Sequence, residues 1–231
     1  MALGSSAIDR AVRARLTLPP LREESLKIEN DRITRGRYLL TFSRRALLPG
    51  PKARFKGLAS DLGLDGAVLA PYLDVANAVH VGMEPGSRTK LYLEFPPPNA
   101  PDPDLAFLAV KHDNRVNRYR RISHLSHAAK VGILDDILPD SPARRTAMDC
   151  LLYGGHVLQV TEDGSPRHSV DVHLADANLP VGELPGLADL LEGQDDDLQD
   201  IMHLNLGHFA CGIGRNGDPF ATIYFGGRND P

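Results

Sequence analysis

Lysines, arginines and tyrosines recur on one face of several short alternating segments. In Arg88-Thr89-Lys90-Leu91-Tyr92-Leu93-Glu94-Phe95, a period of two sets Lys90, Tyr92 and Glu94 on one face and Leu91, Leu93 and Phe95 on the other. Ser169–Leu174 sets Ser169, Asp171 and His173 together, and Ala221–Phe225 does the same for Thr222 and Tyr224. The polar set as a whole includes the cations Arg45, Lys90 and Arg121, the tyrosines Tyr92, Tyr119 and Tyr224, and His173. Such a set can cradle a multiply charged anion such as a diphosphate, because charge-assisted hydrogen bonds to phosphate oxygens are strong in an enclosed site. Tyrosine faces can also stabilise a carbocation, by about 2 kcal/mol when desolvated. Together these are the requirements of allylic diphosphate ionisation: a stabilised leaving group, a shielded cation and no water.

The elements that must position these residues are five β-hairpins with helical segments between them. The spacing predicts a helix over 5–17, a strand over 25–29, a turn at Asn30-Asp31 and a returning strand over 37–45. Helical spacing resumes over 52–77, with a corner at 63–66. The second hairpin pairs 78–83 with 89–95, and the third pairs 105–111 with 115–122 across His112-Asp113-Asn114. Residues 126–153 read as two helical pieces, the second with Ser141 as its cap and Pro142 at its first position. The fourth hairpin pairs 156–161 with 167–174, a Leu- and Asp-rich helix is predicted over 186–202, and the fifth hairpin pairs 209–214 with 219–225 across Arg215-Asn216-Gly217-Asp218. Ten antiparallel strands with helices on one face close most economically into a barrel, since closure removes both sheet edges. The expectation is an α+β fold with a ten-stranded barrel, helices outside and a polar lumen inside, over residues 1–231 as one domain.

Composition narrows the function classes. A formal net charge of −4 over 231 residues opposes a general nucleic-acid binder, so an anion site must be a concentrated pocket. Two cysteines, Cys150 and Cys211, give no disulfide framework and fit a reducing cytoplasm. No secretory signal is read at the start, and no apolar run approaches membrane-spanning length.

Repeated ββα units with Lys-x-Tyr on inward strands resemble the PT-barrel (ABBA) prenyltransferases. The first hairpin, Lys27-Ile28-Glu29…Leu40-Thr41-Phe42-Ser43-Arg44-Arg45, is most similar to the cyanobactin peptide prenyltransferases. The resemblance implies a dimethylallyl or geranyl transferase acting on an amino-acid side chain of a macrocyclic peptide. It implies Glu29 as the catalytic base and Arg45, Lys90 and Tyr92 as diphosphate ligands, and the reading of the inward face adds Tyr119, Arg121, His173 and Tyr224 to that clamp. It also implies Mg²⁺ bound with the diphosphate rather than by a protein cage, and the expected state is a monomer. Three positions depart from the pattern: Asn117 stands before Tyr119 where a cation is expected, Asp171 stands where a tyrosine might, and Thr222 precedes Tyr224.

Blander readings stand beside these. Polar alternation on one hairpin usually means a solvent face, and it is the recurrence that argues for a lumen. Over 115–121 two registers are open, one turning Asn117, Tyr119 and Arg121 inward and the other Arg118 and Arg120. The run Asp196-Asp197-Leu198-Gln199-Asp200 matches a magnesium–diphosphate pattern of all-helical enzymes but reads here as a solvated face. His173 reads as a lumen hydrogen-bonding group rather than a metal ligand, since no second His or Cys has ligand spacing with it. His124 and His127, at i and i+3, have a spacing that permits a metal, but no protein metal site is expected. The competing function is a non-enzymatic barrel that binds a small molecule or peptide.

Overall fold

The computed structural model describes residues 5–86, 88–153, 155–192 and 198–226. Ten strands come in pairs, with helical segments between β2 and β3, β6 and β7, and β8 and β9, but none between β4 and β5: β1 Leu21–Glu29, β2 Arg32–Ser43, β3 Ala78–Glu84, β4 Arg88–Glu94, β5 Leu105–Lys111, β6 Val116–Arg121, β7 Val157–Glu162, β8 His168–His173, β9 Leu206–Ile213 and β10 Pro219–Gly226. They are hydrogen-bonded neighbours in the closed order β1-β10-β9-β8-β7-β6-β5-β4-β3-β2. The helices are α1 Ser5–Arg15, α2 Pro51–Asp61, α3 His127–Ile137, α4 Pro142–Cys150 and the short α5 Leu187–Leu190.

Local chemistry sets the element ends. Asn30 and Asp31 both take φ near +50° at the β1–β2 turn, a conformation their short polar side chains tolerate better than most. Ser126 and Ser141 cap α3 and α4 by accepting from the backbone N–H groups of Ala129 and Arg144, and Pro142 occupies the first turn as expected.

The contacts cluster in two compact units. The first comprises residues 5–22 and 37–119. Its apolar core joins Leu40, Phe42, Val79, Val81, Leu91 and Leu93 of the strands to Ile8 and Val12 of α1 and to Phe55 and Leu58 of α2. Leu91 and Leu93 are fully buried while Lys90, Tyr92 and Glu94 between them are half-buried, so the helices cover the apolar face of the sheet. Each such leucine contributes on the order of 1.5–3 kcal/mol by leaving water.

The second unit comprises residues 23–36 and 120–226. Its core joins Leu26, Val170, Val172, Phe209, Cys211 and Ile223 of the strands to Leu134 and Ile137 of α3 and to Ala147 and Cys150 of α4. Here too the helices take the apolar face. Both cysteines are buried, and burial pushes the Cys150 thiol up to about 12.

Several expected bounds shift. β1 begins at Leu21 and β9 at Leu206, several residues earlier than the hydrophobic alternation suggests. β2 ends at Ser43, and Arg44–Leu47 form a 3-10 turn. Of the helix expected over 186–202, the described part is only α5, with residues 193–197 lying outside the described residues. No described helix is long and apolar enough to cross a membrane.

Candidate functional site

The polar faces of the two units carry different chemistry. In the first unit, register aligns Lys90 with Gly82 and Lys111, Tyr92 with His80 and Ala109, and Glu94 with Ala78 and Phe107. Successive rows on one face are about 7 Å apart, two residues of a strand. The row nearest the β3–β4 turn is cationic. Glu84 accepts from Arg37 at 3.1 Å and from Lys90, and Lys111, only 3% exposed, stands beside Lys90 on β5.

The next rows are aromatic. Tyr119 packs against Tyr92 with centroids 5.9 Å apart and against Phe107 at 5.7 Å. His80 meets Phe107 at 5.4 Å and Tyr92 at 6.3 Å, edge to face, arrangements aromatic quadrupoles favour. His80 is held at both nitrogens, Nδ1 at 2.8 Å from Thr41 Oγ1 and Nε2 at 3.0 Å from Glu94 Oε2. Gly82 makes room for this packing, since a Cβ there would crowd the Tyr92 ring at 3.2 Å. The Tyr119 ring contacts decide the open register: Tyr119 shares the face of Phe107, Tyr92 and His80, and strand alternation brings Asn117 and Arg121 with it.

In the second unit the rows run Ser25–Tyr224–His208–His173, then Lys27–Thr222–Ala210–Asp171, then Glu29–Phe220–Gly212–Ser169. The centre is His208. Its Nδ1 lies 2.7 Å from Asp171 Oδ1 and its Nε2 lies 3.2 Å from Glu23 Oε2. The ring stacks on Tyr224 at 3.7 Å and 8°, and on its other neighbour His173 at 4.8 Å and 15°. Burial alone would push the His208 imidazole down, but the charges and hydrogen bonds of Asp171 and Glu23 overcome it and raise it to about 10. Burial likewise opposes ionisation of Asp171, and the His208 charge and hydrogen bond outweigh it, holding that carboxyl below its usual range. Burial lowers His173, against the pull of Asp171.

Toward the β9–β10 turn, Lys27 Nζ is 2.5 Å from Glu29 Oε1 and 5.0 Å from the Phe220 ring centroid. Arg167 stands 5.1 Å from the same centroid, and Arg215 grips Glu162 with two nitrogens.

The structure therefore gathers Lys90, Tyr92 and Tyr119 on one face of the first unit, and His173 and Tyr224 in one stack of the second. Arg121 ends β6 on the Tyr119 side of that strand. Arg45 differs from expectation. It lies past the end of β2 in the exposed 3-10 turn, where Ser43 Oγ accepts its backbone N–H, and it takes no part in either polar face. Glu29 faces inward but is 35% exposed and held by Lys27. The residues that the sequence reading missed are Glu23, His208, His80 and Lys111. Their signal was the same alternation carried further: Glu23-Ser25-Lys27-Glu29 and His208-Ala210-Gly212 continue it beyond the hydrophobic stretch.

By type, Asp171, His173 and His208 could hold a metal, with ligand atoms within 4.8 Å of one another. The two imidazole rings are stacked nearly parallel, and both His208 nitrogens already serve carboxylates, so no common point lies in both ring planes. The cluster is a hydrogen-bonded ion group. A groove of about 500 Å³ over α2 and the turns at 66–72, lined by Phe55, Leu64 and Leu73 with Lys52 and Lys56 at its edge, holds none of the expected site residues.

The chain matches no protein-family model, and no curated protein matches it in sequence. Solved structures do match. The 5-dimethylallyltryptophan synthase from Streptomyces coelicolor aligns with TM-score 0.57 at 12% identity, over 90% of this chain and 81% of that one. The same synthase in complex with DMASPP and Trp aligns with TM-score 0.56 at 13% identity, over 96% and 84%. AnaPT from Neosartorya fischeri aligns with TM-score 0.56 at 11% identity, over 90% and 78%. Together with the closed ten-strand antiparallel order, these matches give the chain the ABBA prenyltransferase-barrel fold.

Proposed function

We propose that this protein is a prenyltransferase that moves a dimethylallyl or geranyl group from an allylic diphosphate to an aromatic amino-acid side chain within a peptide, preferably macrocyclic. The observation that carries the reading is the inner face of the first unit. There a cationic row, with Arg37 and Lys90 on Glu84 and Lys111 beside Lys90, borders a ring cluster of Tyr92, Tyr119, Phe107 and His80. The cationic row would bind the diphosphate and stabilise pyrophosphate as the allylic C–O bond breaks. The rings would shield the cation from water and stabilise its charge. The neighbour solved with DMASPP and Trp supports an indole-bearing acceptor as the broader class.

The acceptor attacks the allylic carbon, and the proton it sheds needs a carboxylate. Two face inward from β1. Glu29 is the choice that the resemblance implies, but Glu23 is the less exposed, at 19% against 35%, and it sits in a built network rather than a single ion pair. We assign the base to Glu23 and give Glu29 the part of Lys27's counterion. Tyr224 and His173 then support the proton-accepting side rather than the diphosphate. A magnesium ion arriving with the diphosphate would be held by its oxygens, because Glu84 and Glu94 are already engaged by cations or His80. The proposal places the protein in the cytoplasm as a monomer.

An apolar-ligand carrier has no use for these ion clusters, so the binding-only barrel finds no support in either face. The test is incubation with dimethylallyl and geranyl diphosphates and a panel of L-tryptophan, linear peptides and cyclic peptides, read by mass. Prenylated product is expected. Absence of both product and diphosphate hydrolysis across the panel would overturn the reading.

A further inference from the structure

We propose that His208 and Asp171 are positioning residues that hold and aim Glu23, with the His208 ring bridging the two carboxylates. This rests on the prenyl-transfer reading for its catalytic meaning, but the arrangement stands on geometry alone. Three strands contribute: Glu23 from β1, His208 from β9 and Asp171 from β8. Both ring nitrogens of His208 lie within hydrogen-bond distance of a carboxylate oxygen, so neither is left to take a proton from an acceptor. It cannot be the base. It can only hold one.

The backbone is shaped for the carboxylate. Tyr224 pairs with His208 and the next residue, Phe225, pairs with Leu206, which leaves Gly207 as the extra residue of a bulge. Bulges of this kind re-aim side chains beside functional sites. A Cβ at Gly207 would fall onto Glu23 Oε1, so the missing side chain is the space that the carboxylate occupies. With Oε2 on His208, Oε1 is the oxygen left to accept the acceptor's proton as the new bond forms. Tyr224 and His173 clamp the imidazole between them and fix its plane.

The charged and titratable groups that face His208 are Glu23 from β1, Asp171 and His173 from β8, and Tyr224 from β10, with His156 ahead of β7 acting on His173. The two carboxylates hold the His208 charge against burial. Removing Asp171 should therefore let the ring lose its proton at lower pH.

The experiment measures pH–rate profiles of kcat/KM with dimethylallyl diphosphate and the best acceptor of the panel, for the wild type, His208→Asn, His208→Lys and Asp171→Asn. His208→Asn should lose roughly tenfold or more near neutral pH, because Glu23 loses the partner that fixes its position. His208→Lys, which restores a cation and a donor, should recover part of that loss. Asp171→Asn should lose activity at the alkaline side, at a pH below that of the wild type. A purely structural role would lower all rates equally and leave the shape of the profile in place, and an unmoved alkaline limb in Asp171→Asn would overturn the proposal. A second readout needs no turnover: ¹⁵N NMR of the His208 imidazole in the free protein should show both nitrogens protonated at pH 8. A neutral ring there would overturn the proposal even if prenyl transfer is real. Conversely, an imidazolium in a protein that prenylates nothing would sink the functional reading alone.

Discussion

Each unit holds one histidine by both ring nitrogens, and the two are used in opposite ways. His80 bridges a hydroxyl, Thr41, and one carboxylate, Glu94, and its neighbours meet it edge to face. His208 bridges two carboxylates, and its neighbours lie flat against it. A ring between a hydroxyl and a single acid serves as a hydrogen-bonded wall of an aromatic box. A half-buried ring between two acids is drawn toward its charged form, and parallel stacking on Tyr224 adds the attraction of a cation for a π face. The surroundings follow the same division. The first unit sets Arg37 and Lys90 on Glu84 with Lys111 beside Lys90, which suits an anionic ligand, while the second matches carboxylates with cations and leaves an oriented oxygen.

The sharpest way to break this division is to neutralise the carboxylate of the second unit. Glu23→Gln should keep diphosphate affinity, because the cationic row lies in the first unit, and should lose turnover by 10²–10⁴-fold, about 3–5 kcal/mol of barrier. Turnover with the best panel acceptor and calorimetric titration with a thiolodiphosphate analogue check both halves. Wild-type turnover would return the base to another residue.

The converse change lies in the first unit. Lys90→Ala should weaken the analogue by an amount of order 1.5–3 kcal/mol, with the acid limb of the rate profile unmoved. If affinity stays at the wild-type value, the cationic row is not the diphosphate site and the comparison fails on that side.

Stability offers a smaller but independent test. The His208 value is raised from 6.5 to about 10 on folding, so its charge contributes stability that is fully present below about pH 6.5 and is lost as pH rises through about 10. The difference in melting temperature between the wild type and His208→Asn should therefore shrink between those pH values. A constant difference would mean that the ring contributes packing and not charge.

Much of this was legible in the sequence, and what was not has a physical reason. The alternation of Leu91 and Leu93 against Lys90 and Tyr92 revealed both faces of β4, because a strand covered by helices on one side must show it. Strand ends were harder. Glu23 and His208 lie where β1 and β9 run on past their apolar alternation, and a backbone ladder does not require hydrophobic residues to continue. The Gly207 bulge also interrupts the pattern just where His208 needs it. Arg45 failed for the opposite reason: the alternation of β2 was carried past Ser43, whose side chain caps a turn and ends the strand. The register of 115–121 could not be read from period alone, and only the contact of Tyr119 with Phe107 and Tyr92 resolves it.

The smallest expected effect separates the two inward carboxylates of β1. Glu29→Gln removes one side of an ion pair with Lys27 that is partly open to solvent. Exposed pairs of this kind contribute about 0–1 kcal/mol, since solvent screens them and two long side chains must be held in place. The loss also frees Lys27, which remains near the Phe220 ring and keeps a favourable neighbour. Turnover should therefore change by no more than a few-fold and melting temperature by a degree or two. Glu23 differs in each respect: its partner is less exposed, at 13% against 23% for Lys27, its space is cut into the backbone at Gly207, and its cation is itself anchored by a second acid. A Glu29→Gln variant that folds, binds the diphosphate analogue and has lost a hundredfold or more in turnover would move the proton to the turn end of β1. The Asp171–His208–Glu23 group would then be a stabilising ion cluster without a part in the chemistry. Measured side by side with the same acceptor, the two glutamine variants decide which oxygen of β1 receives the proton.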